Sequence, residues 1–159
     1  MLTQLKNSLC VVFLSMSALT TTHLVYADDQ PLKAEMKVFQ LDTSKNTKKE
    51  LKATDQVKPN SVLEYRVDYL NTSAKNLKNL KLNLPLPVSV NYTGQSFPKD
   101  TYASLDGKNF AKAPLTRLEN GKKVNIPLRE YRALQWNVSE LKPKQKISVS
   151  AQVRVNTSE

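Results

Sequence analysis

The chain has 159 residues, a formal net charge of +10, one cysteine and one histidine. This length is typical of a single domain, and one cysteine excludes an intrachain disulfide. Lysine greatly outnumbers arginine and shows no alternation with aromatic residues, which argues against a stacking platform for nucleic acid.

Residues 1–27 are predicted to be a secretory signal peptide. Lys6 supplies the positive start, residues 9–19 form a short apolar run, and Val25-Tyr26-Ala27 places compact residues at the cleavage positions. The apolar run is about half the ~20 residues that a membrane-spanning helix needs. An uncleaved anchor is the alternative, but we expect export to the periplasm, the cell surface or the medium, with no transmembrane segment in the mature chain.

Cleavage after Ala27 leaves residues 28–159 as one domain. It also removes Cys10 and His23, and with them the thiolate, the imidazole base and the usual ligands of zinc and copper. We therefore expect no enzyme activity, no catalytic residue, no cofactor and no metal site.

The rest of the chain alternates apolar and polar residues with a period of two, which predicts strands with one buried face. A first strand is expected around Ala34, Met36 and Val38, with Leu51 in a weaker second one. The next apolar rows are Leu63, Tyr65, Val67 and Tyr69; then Leu80, Leu82 and Leu84; then Val88, Val90 and Tyr92. The last of these rows follows two prolines and is expected at a sheet edge.

Two dipeptides predict tight hairpins, because both suit turns with positive φ. Asp106-Gly107 lies between residues 103–105 and Phe110, and Asn120-Gly121 lies between residues 115–118 and 124–126. The penultimate strand is predicted from Leu134, Trp136 and Val138. After a turn at Leu141-Lys142-Pro143-Lys144, the last strand has the apolar row Ile147, Val149, Ala151, Val153 and Val155.

About seven or eight such strands predict an all-β fold, an immunoglobulin-like antiparallel β-sandwich. A closed barrel explains the same alternation and is the alternative. Trp136 is expected near the centre of the core, because an indole buries a large apolar area. The predicted core comprises Tyr65, Val67, Leu82, Leu134, Trp136, Val149 and Val153.

Polar residues offer two weak candidates for chemistry. Asp100, Asp106 and Asn109 carry oxygens near a hairpin tip, but calcium takes about six to eight oxygen ligands, so Asp106 is interpreted as a turn residue. Glu64 and Asp68 lie on the polar face of one strand. They are interpreted as charges partnered by basic residues of the same sheet rather than as a general acid and base.

Asn71-Thr72-Ser73 matches the acceptor pattern for glycosylation. The pattern is short and the leader is of bacterial type, so we interpret it as a chance match.

Several motifs together resemble the conserved repeat domain of bacterial and archaeal surface proteins, known as domain of unknown function eleven. In chain order they are residues 57–73, Leu84-Pro85-Leu86-Pro87, Ser104-Leu105-Asp106-Gly107, Trp136, Leu141-Lys142-Pro143 and residues 147–155. The resemblance implies an immunoglobulin-like fold, a cell-surface or envelope setting and no catalytic residues.

The chain departs from that family at two turns. The family usually has Pro-Gly where this chain has Pro59-Asn60 and Pro143-Lys144. Asparagine tolerates positive φ but lysine much less, so we expect the second turn to differ in type.

The expected function is that of a non-catalytic envelope or surface module that binds other proteins or contributes to a surface structure. Residues 93–103, with Phe97 and Tyr102, are the candidate interaction loop. One alternative is a self-assembling filament subunit, in which residues 28–41 pair with a neighbour's sheet. Another is a basic module that binds an anionic envelope polymer such as lipopolysaccharide or extracellular nucleic acid.

Overall fold

A computed structural model describes residues 30–42 and 44–157. The predicted signal peptide and its cleavage site lie outside the described residues. The strands are β1 (Leu32–Asp42), β2 (Thr47–Glu50), β3 (Val62–Asn71), β4 (Leu77–Pro85), β5 (Val90–Phe97), β6 (Tyr102–Ser104), β7 (Ala111–Lys112), β8 (Thr116–Glu119), β9 (Lys122–Asn125), β10 (Ala133–Leu141) and β11 (Lys146–Val155). A short 3-10 helix, Leu128–Glu130, precedes β10.

The strands form antiparallel sheets, as the period-two pattern predicted. A five-stranded sheet has the order β2-β1-β3-β11-β5, a four-stranded sheet has the order β4-β10-β6-β7, and β8 pairs with β9 alone. Each sheet has an edge strand at both ends in the described part of the chain, so the alternative of a closed barrel is wrong. The strands outnumber the predicted seven or eight, because pieces as short as β7 and β2 show no readable alternation.

The two larger sheets pack face to face around the predicted apolar rows. β3 alternates buried and half-buried residues along its whole length, and β11 does so over most of its own. β3 is central, pairing with β1 on one side and with β11 on the other. All seven predicted core residues are buried. Tyr65 is the most exposed of them, and Leu134 and Val153 are fully enclosed.

Trp136 lies in β10 and is buried between the sheets. Its indole Nε1 donates a hydrogen bond of 2.8 Å to the carbonyl oxygen of Pro98, in the connection between β5 and β6. A buried indole N–H needs such an acceptor. The side chain therefore fills the core and also ties the end of β5 to β10.

The N-terminal strand differs from the prediction in its burial. No side chain of β1 is fully buried, and Met36, predicted on the buried face, is 49% exposed. β1 pairs with β3 along nearly its whole length. Leu51 lies just beyond the end of β2, where its N–H donates to the carbonyl of Val38. Met36 is exposed because no strand lies on the outer side of residues 32–37 in the described structure.

β5 is an edge strand, as expected, but it begins later than predicted. Val90 and Tyr92 are buried, whereas Val88 is 75% exposed in the turn that precedes the strand. The N–H of Val90 donates to the carbonyl of Pro87 and closes that turn. Alternation alone does not reveal where a turn ends, so Val88 was wrongly placed in the strand.

Both predicted dipeptides lie in hairpin connections, but only one of the two turns is tight. Asn120-Gly121 joins β8 to β9 directly, whereas Asp106-Gly107 lies within a six-residue connection between β6 and β7. Asn120 and Gly121 both have positive φ, at 49° and 75°, as a two-residue turn of this kind requires. In the described part of the chain, no helix is long and apolar enough to cross a membrane.

Candidate functional site

The predicted interaction loop of residues 93–103 is not a loop. β5 continues to Phe97 and β6 begins at Tyr102, so the connection is only residues 98–101. Phe97 pairs with Ser150 on the outer face of the five-stranded sheet, and Tyr102 pairs with Gln135 on the four-stranded sheet. The prediction failed because the last residues of β5 extend past the core and therefore show no apolar alternation.

Phe97 is 65% exposed at the end of β5. It borders a shallow depression of about 370 Å³ on the outer face of the five-stranded sheet. β5 also contributes Gln95 and Ser96, and β3 and β11 provide the remaining lining with polar side chains. The Phe97 surface comprises Phe97, Gln95, Ser96, Glu64, Arg66, Ser148, Ser150 and Gln152.

The charged residues of this face are paired with one another. A nitrogen of Arg66 lies 2.6 Å from Glu64 Oε1, and Lys48 Nζ lies 3.7 Å from the same oxygen. Lys48 and Arg66 also approach the ring of Phe39, at 5.0 and 5.3 Å from its centroid. Glu64 therefore helps to hold a cluster of cations against one aromatic ring.

Asp68 is held in the same way on the same face of β3, four residues beyond Glu64. Lys146 Nζ lies 2.8 Å from its Oδ2, and Ser148 Oγ donates to its Oδ1 at 2.5 Å. These two hydrogen bonds lower the pKa of Asp68 below its ordinary value, and the bond from Lys146 has the larger effect. The structure thus places both candidate carboxylates, Glu64 and Asp68, in ion pairs on one face of the sheet.

The three oxygen-bearing residues considered for calcium are engaged locally. Asp106 accepts hydrogen bonds of 2.8 Å from the N–H groups of Lys108 and Asn109 and from Ser104 Oγ. These bonds hold the pKa of Asp106 far below its ordinary value. Asp100 pairs instead with Lys112. Among the described residues, no group of three or more His, Cys, Asp or Glu side chains is arranged to hold a metal ion.

Asn71 has a structural role that its sequence pattern did not reveal. It is 0% exposed at the end of β3. Its Nδ2 donates to the carbonyls of Leu141 and Lys75, and its Oδ1 accepts from the N–H and the hydroxyl of Ser73. Asn71 therefore connects the two large sheets. The one feature of the sequence that could have indicated this role is the Asn-Thr pair at the end of the predicted strand.

The same hydrogen-bond network holds the turn at Lys144. Lys144 has φ of 60° and Asn60 has φ of 64°. Both turns close with a hydrogen bond, from Gln145 N to Lys142 O and from Ser61 N to Lys58 O, so the turns are alike and the expected difference in type is wrong. Lys144 is held there because its N–H donates to Asn71 O and its Nζ to Thr72 O.

Compared with known proteins, the chain matches no family model, no curated protein and no solved structure. The resemblance to the repeat domain of surface proteins therefore stays a prediction.

Proposed function

We propose that this protein is a non-catalytic, exported module of the cell envelope that binds another protein through the Phe97 surface. The observation that carries the proposal is the exposed ring of Phe97, which stands at the rim of a polar depression next to Arg66. Aromatic residues and arginine are the side chains most enriched at the centres of protein interfaces.

The surroundings of Phe97 support this use of the ring. The lining residues lie on β3, β5 and β11, which are neighbours in the five-stranded sheet or one strand removed. Because the backbone of these strands is already ordered, binding here does not have to order the main chain. Serine and glutamine side chains around the ring supply donors and acceptors for a polar rim.

The setting of the protein rests on the sequence. The charged start, short apolar run and compact cleavage residues support export, and the resemblance to surface-protein repeats supports an envelope location. The pairing of Glu64 and Asp68 with Arg66 and Lys146 supports a non-catalytic role for these carboxylates, because each already stabilises the sheet through its charge.

Site-specific photo-crosslinking in the native host tests the proposal. A benzophenone side chain at position 97 should capture one defined envelope protein, and a second probe at Ser150 should capture the same one. Position 88 is the matched control, because Val88 is also apolar and 75% exposed but lies outside the Phe97 surface.

Phe97→Ala should then reduce the amount of complex at least tenfold while leaving the denaturant midpoint unchanged. Equal capture from positions 88 and 97, or a complex that survives Phe97→Ala, would show that the Phe97 surface is not the binding face.

A further inference from the structure

A second groove lies on the opposite side of the molecule, on the outer face of the four-stranded sheet. It has a volume of about 440 Å³ and is named here the Gln135 groove. Cross-strand pairing builds its floor: Gln135 of β10 lies between Asn83 of β4 and Tyr102 of β6. In the next row Asn137 lies beside Lys81.

The hairpin between β6 and β7 supplies the other wall, with Lys108 and Phe110. Asp106 holds this hairpin in shape through its bonds to two backbone N–H groups, and Asn109 Nδ2 donates to its second oxygen at 2.6 Å. The wall is thus ordered before any ligand arrives, and this lowers the cost of binding.

The floor carries side-chain amides with unused hydrogen-bonding capacity. Gln135 is only 7% exposed, and its Nε2 donates to Asn83 Oδ1 at 2.8 Å. Among the described residues no donor reaches Gln135 Oε1, and the side chain of Asn137 makes no hydrogen bond. A primary amide both donates and accepts, as a sugar hydroxyl does, so a row of amides is complementary to a row of hydroxyls.

The charged residues that line the groove are both lysines. Lys81 and Lys108 both line it, neither forms an ion pair within the described structure, and none of the lining residues is Asp or Glu. By contrast, Glu64 and Asp68 on the opposite sheet face are each within ion-pairing distance of a basic residue. Two unpaired ammonium groups beside amides favour a ligand that carries carboxylates among hydroxyls.

One aromatic ring of the groove already has a cation over it. Lys112 Nζ lies 5.4 Å from the centroid of the Tyr102 ring. A cation in that position covers one face of the ring, which leaves less room for base stacking.

We propose that the Gln135 groove binds an acidic saccharide, a chain of sugars bearing uronic-acid carboxylates. Lys81 and Lys108 pair with the carboxylates, and Gln135, Asn83 and Asn137 hydrogen-bond the ring hydroxyls. This inference is independent of the Phe97 surface, which lies on the other sheet.

A titration of the purified protein, followed by amide chemical shifts, tests the proposal with three probes. They are trigalacturonic acid, neutral galactotriose, which has hydroxymethyl groups in place of the carboxylates, and a thymidine oligonucleotide of equal charge. Trigalacturonic acid should bind at least tenfold more tightly than either of the others. The shift changes should centre on β4, β6 and β10.

Paired variants then separate the groove from the overall charge of the protein. Lys81→Ala with Lys108→Ala should weaken binding of trigalacturonic acid at least tenfold. Lys122→Ala with Lys123→Ala removes the same charge from the exposed β9 strand outside the groove and should weaken it less than twofold. Asn137→Ala, at an exposed position, should weaken it about threefold or more.

Three results would overturn the proposal: equal losses in the two lysine pairs, tighter binding of the oligonucleotide, or shift changes that map elsewhere. The first two results would indicate non-specific attraction of polyanions. Failure of this test leaves the crosslinking result at Phe97 unaffected, because the two faces share no residue.

Discussion

Trp136 shows how much of the fold depends on one side chain. It lies in the core and donates to Pro98 O, so its loss removes both packing and a hydrogen bond. We predict that Trp136→Ala lowers the free energy of unfolding by about 3–5 kcal/mol, as truncation of large core aromatics does. Chemical denaturation at neutral pH measures this loss.

The matched controls for Trp136 lie on the outer face of β11. Ser150→Ala and Gln152→Ala should change the free energy of unfolding by less than about 0.5 kcal/mol, because neither residue packs in the core. Equal sensitivity at the core and surface positions would mean that the register of β11 is wrong.

Asp68 carries a pH-dependent contribution to stability. Its hydrogen bonds from Lys146 and Ser148 lower its pKa in the folded state, so the folded state favours the carboxylate. The contribution is fully present above the ordinary aspartate pKa of about 3.9. It is lost as the pH falls through the lower pKa of the folded state.

We predict that Asp68→Asn lowers the free energy of unfolding at pH 7 by about 0.5–1 kcal/mol, because the Lys146 side chain is 57% exposed and solvent screens the pair. The difference from the parent protein should shrink as the pH is lowered below that ordinary value. Denaturant melts across the acid range measure both effects. A deficit that stays constant down to the lowest pH would show that the ion pair with Lys146 does not stabilise the fold.

At the scale of elements, β1 is the most weakly attached by its side chains among the strands of eight or more residues, because none of its side chains is fully buried. Only Leu32 and Val38 of this strand pack against the core, and both are partly buried. Its backbone, however, pairs with β3 at every position from Leu32 to Leu41. β2 also covers residues 39–42 of its outer edge, so exchange of β1 between subunits would have to displace the whole hairpin.

We predict that β1 folds back on its own domain and that the protein stays monomeric at all concentrations tested. Light scattering across a hundredfold concentration range is the measurement. Deletion of residues 28–41 provides the contrast. If the intact protein forms oligomers that this deletion abolishes, and if the truncated protein binds an added peptide of that sequence, then the strand is exchanged and a filament is favoured.

At the scale of the whole molecule, the two sheet faces differ in how their charges are used. On the five-stranded sheet, acidic residues such as Glu64 and Asp68 partner basic ones. In the Gln135 groove, Lys81 and Lys108 are left without acidic partners among the described residues, although Lys112 of the same four-stranded sheet pairs with Asp100. Two of the lysines that contribute to the formal net charge of +10 therefore lie unpaired beside side-chain amides.

Export is the prediction that concerns the whole chain. The leader pattern places the mature N-terminus at Asp28, after the compact residues Val25-Tyr26-Ala27. N-terminal sequencing of the protein from its native host should find Asp28 first, in the periplasmic or extracellular fraction. A chain that still starts at Met1 and pellets with membranes would contradict the prediction.

The alternating sequence was sufficient for the class of fold and for most of the core. Leu63, Val67, Val149 and Val153 alternate with polar residues, and burial of one side of a strand depends only on that alternation. The hairpin at Asn120-Gly121 was equally predictable, because its positive φ values are a local requirement.

Tertiary structure alone decided where the candidate surfaces lie. Phe97 and Tyr102 are five positions apart, yet they face opposite sides of the molecule, because the short connection between them crosses from one sheet to the other. The Gln135 groove joins residues of β4, β6 and β10, and Asn71 reaches Leu141 through hydrogen bonds. Such neighbours are distant in sequence, and only the packing of the two sheets brings them together.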